Sequence, residues 1–554
     1  MLSILNKKLL VKYIVGFIAV IGLSFSFIMV AKKANAKKSN SMAYENQVLP
    51  VKYGNKGDLM VYFVDKKGLE KILKDKKKNN EAEQIKYEDF KANKGQIIDL
   101  GVVDGKKVAL IGIDKDEEKE KKDIIKDKKK ENVALDFEKL GAKITNVLPQ
   151  SKTIEVVLSN EYCVEKKFCD DKLLVNAYFG FNQRNYKFDK YLTDKELAKK
   201  KTIIKNVVLY IKETAEIKKM IVEKQNKLDA IFFTRDLANE PANVIYPESF
   251  ANIVSNKFKG VKNVKVKILE PKELEKLGMN LLLGVAKGSS KTPRVVVVEY
   301  MGNPKSKKID VALIGKGVCF DSGGMSLKPS QYMEGMKQDM QGSITQISSL
   351  LALAKNGAKI NAVAVGGMVE NMINGEAQKV GDVVKSMSGK TVEIIDTDAE
   401  GRLVLADILY YAQKTYKPEY LIDMATLTGA IMYALGTEKS GIFTNNEELG
   451  KKLYESGEKT GDNNWVMPLT EEYFEAVKSQ IADLRNLGKK GSYAGSATAA
   501  SFLANFIDDN KKWAHIDIAG VDTATGNNSF CKEGLASGYG VKLITDFVEE
   551  NIEK

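Results

Sequence analysis

The sequence predicts an α/β protein of two domains, a smaller amino-terminal α/β domain and a larger carboxyl-terminal one with a mixed, largely parallel central sheet. Two observations favour this class. The chain has 554 residues, which is too long for one ordinary domain. From about residue 290 onward, unbroken apolar segments alternate with helical segments. That alternation is typical of a sheet covered by helices on both faces.

The composition excludes several kinds of catalytic site. His515 is the only histidine, so a zinc site that needs two histidines is excluded. A Ser-His-Asp triad could use only this residue as its base. The formal net charge is +13, but the lysines are interspersed with acidic residues, so we expect a solvated surface and no nucleic-acid partner. Any metal in this chain must be held mainly by carboxylates.

The first 36 residues have the features of a secretory signal. Lys7, Lys8 and Lys12 precede the uncharged run 13–30, and Ala34-Asn35-Ala36 follows it as a small-x-small cleavage site. At about 1.5 Å per residue, a helix over this run would nearly cross the apolar part of a bilayer, so an uncleaved membrane anchor is the alternative. The sequence therefore predicts an exported protein, periplasmic or secreted, or a membrane-anchored one, rather than a cytoplasmic one.

Residues 37–200 alternate short apolar strands with charged helical stretches and predict the amino-terminal domain. Cys163 and Cys169 lie six residues apart within it, and either a small disulfide loop or two free thiols fits this spacing. Residues 201–233 have helical periodicity and contain no Pro or Gly, so they predict a linker helix. Residues 234–554 then form the larger domain.

Apolar runs and helical segments alternate within the larger domain. The runs 295–298, 311–314 and 362–365 predict buried strands, and two further strands of the same sheet are expected at 392–395 and 421–422. Helices are expected between them, at 334–354 and 402–415. Ligands in such folds bind beyond the carboxyl ends of the strands, so polar residues at those positions are the site candidates.

The first candidate segment follows the strand at 311–314. It runs from Gly315 to Gly324 and contains Lys316 and Asp321, between glycines that let the backbone approach a ligand. Its spacing does not fit a phosphate-binding loop. Asp339 follows on the next predicted helix.

The second candidate segment follows the strand at 392–395 and reads Asp396-Thr-Asp-Ala-Glu-Gly-Arg402. Its three acids lie within five residues, and carboxylates crowded into a partly buried site are costly unless a cation compensates them. Alone, the segment could be an exposed acidic turn paired with its arginine. Together with Lys316, Asp321 and Asp339 after another strand, it favours a metal site.

The segments Gly-Lys-Gly-x-x-Phe-Asp-Ser-Gly-Gly from 315 and Thr-Asp-Ala-Glu-Gly-Arg-Leu from 397 resemble the signatures of the leucyl (cytosol) aminopeptidase family. The resemblance extends in collinear order over roughly 185–545. It implies a metal-dependent aminopeptidase that removes amino-terminal residues, preferably larger apolar ones such as Leu, by a two-metal hydrolytic mechanism. The alternatives are a non-catalytic or DNA-binding role of an aminopeptidase-like protein, or a metallo-phosphoesterase.

The resemblance also implies roles for single residues and makes 234–554 the catalytic metallopeptidase domain. Lys328 would be the electrophile beside the substrate carbonyl, and Arg402 would hold a bicarbonate that shuttles protons. The implied cofactors are two divalent metal ions per chain, Mn or Zn, and the implied assembly is a homohexamer. The implied metal ligands are Lys316, Asp321, Asp339, Asp398 and Glu400, of which Asp321 and Glu400 would bridge the ions. The implied substrate-pocket residues are Met336, Thr426, Leu427 and Gly429.

Asp396 departs from the family pattern, which usually has Asn at this position. We expect that Asp396 is not a metal ligand, because the family functions with a neutral side chain there. His515 is expected to be structural. Cys319 and Cys531 are expected to be free thiols, and Cys319 is expected to pack in the core.

Overall fold

The computed structural model describes residues 48–78, 90–103, 105–115, 132–194, 202–491 and 493–553. These residues form three sheets, of six, eight and three strands, with helices packed against them. The mixed, largely parallel α/β architecture that the sequence predicts is confirmed.

The first sheet belongs to the amino-terminal part of the chain. Its strands are β1 Val51–Tyr53, β2 Leu59–Val64, β3 Ile97–Val103, β4 Lys106–Gly112, β5 Thr153–Ser159 and β6 Ile203–Leu209. Their order is β1-β6-β5-β2-β4-β3, and every pair is parallel except β3 with β4. The helices of this part are Lys66–Lys78, Val133–Ala142 and Asp171–Asn185, with 3₁₀ turns at Lys143–Val147 and Lys166–Phe168.

The linker helix predicted over 201–233 is wrong in part. The segment starts with β6, whose buried Val207 and Leu209 belong to the core of the first sheet. The helix begins only at Ala215, where the Thr214 hydroxyl accepts a hydrogen bond from the Ile217 amide at 3.2 Å, and it continues to Asn239. Apolar residues of this helix pack into the same core, so the helix is more than a spacer. The domain bounds 37–200 and 234–554 stay predictions.

The second sheet has eight strands and forms the centre of the larger part. They are β7 Val264–Leu269, β8 Arg294–Met301, β9 Val311–Asp321, β10 Asn361–Asn371, β13 Tyr420–Ala425, β14 Ser440–Thr444, β15 Asn464–Val466 and β17 Lys512–Asp517. The intervening strands, β11 Val383–Lys385, β12 Thr391–Glu393 and β16 Leu484–Arg485, form the third sheet. The order of the eight strands is β15-β14-β17-β13-β9-β10-β8-β7. The four central strands, β17, β13, β9 and β10, are mutually parallel, and their aliphatic side chains are buried, as expected for a sheet covered on both faces.

Helices cover the second sheet. The predicted helix over 402–415 is confirmed and spans Gly401–Tyr416. The helix predicted over 334–354 begins later, because Gly335 adopts a φ of 88° and leads into a 3₁₀ turn at Met336–Gln338. The helices are Pro247–Lys257, Pro271–Leu277, Asn280–Ala286, Ser330–Met333, Gln341–Asn356, Gly401–Tyr416, Gly429–Leu435, Glu447–Thr460, Glu471–Ala476, Gly495–Ala504 and Val541–Asn551.

The prediction that 392–395 belongs to the central sheet is wrong. Thr391–Glu393 is β12 of the third sheet, where it pairs antiparallel with β11, Val383–Lys385, and parallel with β16, Leu484–Arg485. Only Val392 of its three residues is buried, so this strand lacks the two buried faces of a central parallel strand. The segment that carries Asp398 and Glu400 therefore approaches β9 from a different sheet.

Two glycines let the Gln341–Asn356 helix approach the central strands. A Cβ on Gly315 of β9 would lie 2.3 Å from the Ser343 Cα, and a Cβ on Gly342 would lie 2.1 Å from the Met424 carbonyl oxygen. No side chain fits at such distances. This contact places the start of the helix, and Asp339 just before it, beside β9.

Candidate metal centre

Lys316 lies in the middle of β9, and its side chain is only 3% exposed. Its Nζ donates a hydrogen bond to the Thr426 carbonyl oxygen at 3.0 Å and lies 2.8 Å from both Asp339 Oδ1 and Glu400 Oε1. Gly401 makes room for this side chain, because a Cβ there would lie 2.5 Å from the Lys316 Cε. Four separate segments of the chain thus meet at one ammonium group.

A second lysine connects the other two carboxylates. The Lys328 Nζ lies 2.9 Å from Asp321 Oδ2 and also contacts Asp398 Oδ1. Carboxylate oxygens of Asp321, Asp398 and Glu400 lie within 4.8 Å of one another. The structure therefore brings together all five residues proposed from the sequence as ligands, with Lys328 beside them.

The carboxyl groups of this cluster are unfavourable as anions. Burial, and then the charges of Asp321 and Glu400, raise the pKa of Asp398 to about 7. Burial also raises the pKa of Glu400 and, strongly, that of Asp339. The ion pairs with the two lysines offset only part of this cost, since the net shift of each of these three pKa values is upward.

The same charges act in the opposite sense on the lysines. Burial lowers the pKa of Lys316 and of Lys328, but the surrounding carboxylates outweigh it, and the net pKa of each lysine is raised. Both ammonium groups are therefore retained at neutral pH in this ion-paired arrangement. A cation that took Lys316 as a ligand would have to displace its proton.

The donor set fits divalent cations. Carboxylate oxygens suit Mn and are common ligands of Zn, and cations placed among four carboxylates would remove their mutual repulsion. Asp339 Oδ2 is buried and has no hydrogen-bond partner among the described residues. A buried acceptor in this state is costly, and a cation would satisfy it.

Two asparagines that no motif indicates hold residues of the cluster and its loop in place. Asn371 ends β10, and its Nδ2 donates to Asp321 Oδ1 at 2.8 Å. Asn486 follows β16; its Oδ1 accepts from the Ile395 amide at 2.7 Å, and its Nδ2 donates to the Asp396 carbonyl oxygen at 2.5 Å. Asn371 could have been found as a polar residue at the end of a strand beside β9. Asn486 lies outside every motif and gave no signal.

Asp396 interacts with its own loop. Its Oδ1 accepts a hydrogen bond from the Asp398 amide at 2.9 Å, which fixes the turn that leads to Asp398. The amide oxygen of an asparagine could accept the same bond. The charge of Asp396 is therefore not needed for this contact.

Arg402 is buried beside the carboxylate cluster. Its Nη1 donates to the Asn486 carbonyl oxygen at 2.7 Å, while its Nε is buried and has no hydrogen-bond partner in the described part of the chain. Burial lowers the pKa of Arg402 to about 10, although Glu400, Asp517 and Asp396 oppose this shift. The guanidinium thus retains an unused donor.

Among the residues proposed for the substrate pocket, Thr426 contacts the cluster directly. The Thr426 hydroxyl donates to Asp339 Oδ1 at 2.7 Å, and the Leu427 amide donates to Asp517 Oδ1 at 3.1 Å. Gly429 is the first residue of a helix, and Met336 starts the 3₁₀ turn that ends at Gln338, the residue before Asp339.

The single histidine and the four cysteines are not among the residues of the cluster. His515 is fully buried, with Nδ1 2.6 Å from Asp423 Oδ1, which fits a structural role. All four cysteines are free thiols, so the open question on Cys163 and Cys169 is answered for this structure, and the free state of Cys319 and Cys531 is confirmed.

The comparisons with known proteins agree with this geometry. The sequence model of the cytosol aminopeptidase family, catalytic domain, matches residues 232–545, which are more than half of the chain. A probable cytosol aminopeptidase of Nitrobacter hamburgensis is 47% identical over 375 residues, which are 68% of this chain and 73% of the relative. The chain belongs to the cytosol aminopeptidase family. It is a metal-dependent aminopeptidase, a hydrolase that acts on peptides.

Solved structures of this family have the same fold. A mutant of tomato leucine aminopeptidase has a TM-score of 0.75 at 26% identity, over 92% of this chain and 98% of its own. The bottromycin maturation enzyme BotP, solved in complex with Mn, has a TM-score of 0.75 at 26% identity, over 89% of this chain and 99% of its own. The aminopeptidase therefore shares its fold with an enzyme that binds a divalent metal.

The predicted export or membrane anchoring is contradicted by the relatives from Nitrobacter hamburgensis and Nitrobacter winogradskyi, which are both named probable cytosol aminopeptidase. The run 13–30 and the small-x-small site, on which the prediction relied, lie outside the described residues. Among the residues that are described, no helix has both the length and the apolar content needed to cross a membrane.

The raised pKa of Asp398 predicts how the metal-free enzyme depends on pH. A carboxyl whose folded-state pKa of about 7 exceeds its unfolded value of about 3.9 destabilises the fold progressively as pH rises between these values. We expect metal-free Asp398→Asn to melt at a higher temperature than metal-free wild type at pH 8, and the gap to narrow toward pH 4. Differential scanning calorimetry measures both.

Added Mn provides the control for this measurement. It should raise the melting temperature of the wild type more than that of Asp398→Asn, because the variant lacks one proposed ligand. A metal-free variant that melts below the wild type at pH 8 would show that Asp398 stabilises the fold through its pair with Lys328.

Proposed function

We propose that this aminopeptidase holds two divalent metal ions per chain, Mn or Zn, and uses them to hydrolyse the first peptide bond of its substrates. The observation that supports this proposal is the convergence of four carboxylates on one small buried space, where burial and the neighbouring carboxylates raise the pKa values of Asp339, Asp398 and Glu400. The proposed ligands are Lys316, Asp321, Asp339, Asp398 and Glu400. Asp321 and Glu400 are proposed to bridge the ions.

When bound, divalent ions supply Lewis-acid polarisation of the substrate carbonyl and activation of water. Lys328 is proposed to stabilise the charge that develops on the carbonyl oxygen. Its side chain is 15% exposed, against 3% for Lys316, so Lys328 can contact a substrate while Lys316 cannot. Its raised pKa keeps the ammonium charged at neutral pH, as an oxyanion-stabilising group requires.

Arg402 is proposed to hold a bicarbonate ion, which would supply proton transfer to the leaving amine. The unpartnered buried Nε of Arg402 supports this role, because an oxyanion would accept its hydrogen bond. The carbonyl of Asn486 already orients the other end of the guanidinium.

The pocket is proposed to favour larger apolar residues at the amino terminus of the peptide. Met336 and Leu427 are half-buried apolar side chains, and Thr426 is bonded to a proposed metal ligand. A Cβ on Gly429 would meet nothing within 4 Å, so there is open space at this position for a substrate side chain.

We also propose that the chain forms a homohexamer. Resemblance to the family supports this assembly. Sedimentation equilibrium would measure it, and a monomer at micromolar concentration would contradict it.

The substrate preference can be tested with a panel of aminoacyl-p-nitroanilides. With Mn present we expect kcat/KM to be highest for Leu and Met and lower for Ala and Gly. A larger apolar side chain buries more surface, and burial contributes a free energy of roughly 25 cal/mol per Å² of apolar surface. Gly429→Leu should reverse the preference toward Ala by filling the open space. Equal kcat/KM for Ala and Leu in the wild type would contradict the proposed pocket.

Two substitutions separate metal binding from oxyanion stabilisation. Glu400→Ala should lose both metal and activity. Lys328→Ala should retain two equivalents of Mn while kcat falls by roughly 100- to 1000-fold, the usual cost of removing one oxyanion-stabilising group. Metal content after gel filtration and steady-state kinetics measure these effects. Lys379→Ala, at an exposed position, is the control and should match the wild type. Poor metal binding by Lys328→Ala with normal binding by Glu400→Ala would reverse the assignment.

Asp396→Asn tests whether the ligand set is larger than proposed. The asparagine oxygen can still accept the bond from the Asp398 amide, so we expect two equivalents of Mn and a kcat within about threefold of the wild type. Isothermal titration with Mn measures the stoichiometry. Loss of one equivalent would make Asp396 a ligand.

A further inference from the structure

We propose that Thr397 is a positioning residue, which fixes the loop that carries Lys328 against the loop that carries Asp398. The proposal rests on the role given to Lys328 above. It assigns to Thr397 no contact with the substrate or with a metal. Its task is to hold the Lys328 ammonium at a fixed place relative to the carboxylates.

No strand pairing within the described ranges aligns the two loops, because the strands that precede them belong to different sheets. The Lys328 loop, 322–329, follows β9 of the eight-stranded sheet, and the Asp398 loop, 394–400, follows β12 of the three-stranded sheet. Strands of one sheet are aligned by a ladder of backbone hydrogen bonds, but strands of different sheets are not. Side chains must therefore set the relative position of these loops.

Thr397 bridges the two loops with both functions of its hydroxyl. The Oγ1 donates to the Gly323 carbonyl oxygen at 2.7 Å and accepts from the Ser326 amide at 2.8 Å. The Thr397 amide donates to the Ser326 Oγ at 3.2 Å, and its carbonyl oxygen accepts from Asn371 Nδ2 at 3.0 Å. The residue is 3% exposed, so water cannot replace these bonds easily.

The bonds reach Lys328 through a closed turn. The Lys328 amide donates to the Ser322 carbonyl oxygen at 3.0 Å, and this bond closes residues 322–328 into a turn. The Thr397 hydroxyl contacts this turn at two residues, Gly323 and Ser326. The fit is tight, since a Cβ on Gly324 would lie 3.0 Å from the Thr397 Oγ1. Loss of the hydroxyl would leave the buried Gly323 carbonyl and the partly buried Ser326 amide without this partner, and the turn would shift.

Such a shift matters most for Lys328. Its Nζ contacts Asp321 on one side and Asp398 on the other, so it lies across the junction that Thr397 holds. A displacement of about 1 Å at a catalytic group can cost about 100-fold in rate. The ligand carboxylates themselves have other supports, since Asn371 holds Asp321 and the Asp396 side chain holds the Asp398 amide.

The test compares Thr397→Val, which keeps the shape without the hydroxyl, with Thr397→Ser, which keeps the hydroxyl. Both are made in the full chain, loaded with Mn, and assayed with leucyl-p-nitroanilide. We expect Thr397→Val to lower kcat by roughly 10- to 100-fold with little change in KM, because a misplaced oxyanion-stabilising group affects the transition state most. Thr397→Ser should stay within about threefold of the wild type, since its hydroxyl can make the same bonds.

A double-mutant cycle identifies the partner of Thr397. In a Lys328→Ala background, Thr397→Val should lower kcat by less than about threefold, because two residues that act as one unit are not additive. Its Mn stoichiometry should equal that of the wild type. A full, additive loss in this background, a loss of Mn, or an equal defect in Thr397→Ser would each overturn the proposal.

Ser326→Ala serves as a milder probe if Thr397→Val does not fold. It removes only the bond from the Thr397 amide, and we expect a smaller loss of kcat that is again absent in the Lys328→Ala background. Failure of the proposed function is recognised separately. It would appear as a wild-type chain that binds fewer than two Mn, or as a Lys328→Ala variant with normal kcat, whatever the Thr397 variants do.

Discussion

The site depends on the mutual repulsion of four carboxylates that are held close together in a buried space. Asp321, Asp339, Asp398 and Glu400 would be costly there as bare anions, and burial raises the pKa of three of them. Lys316 and Lys328 offset part of this cost with ion pairs. The two lysines differ in exposure: Lys316 is enclosed among the carboxylates, whereas Lys328 is partly accessible, as its proposed contact with a substrate requires.

Glycines around the cluster let the backbone bring these charged side chains together. Gly315 and Gly342 let a helix approach β9 closely enough to deliver Asp339, and Gly401 leaves space for the Lys316 side chain. The other acidic segment comes from a separate three-stranded sheet, so side chains such as Asn371 and Asn486 hold the loops together.

Two long motifs of the sequence carry four residues of the cluster, Lys316, Asp321, Asp398 and Glu400, and Asp339 follows the first motif on the next predicted helix. The sequence also predicted β8, β9, β10 and β13 of the eight-stranded sheet, whose apolar runs leave little choice of structure. It failed where a short segment depends on its partners. Ile203–Leu209 looks helical in isolation but pairs with β1 and β5, and Thr391–Glu393 belongs to a different sheet from the one expected. The bonds of Thr397 and Asn486 join residues far apart in the chain, and no local pattern indicates them. The apolar run 13–30 after three lysines indicated export, and the relatives named cytosol aminopeptidases contradict that prediction.

The most direct test of the metal centre is anomalous diffraction from crystals of the full chain grown with Mn, recorded near the manganese absorption edge. We expect two anomalous peaks per chain, both within coordination distance of the carboxylates of Asp321 and Glu400, with the Lys316 Nζ turned to one of them and Lys328 bound to neither. A single peak, or peaks that leave Asp321 or Glu400 uncoordinated, would contradict the two-ion site that we propose.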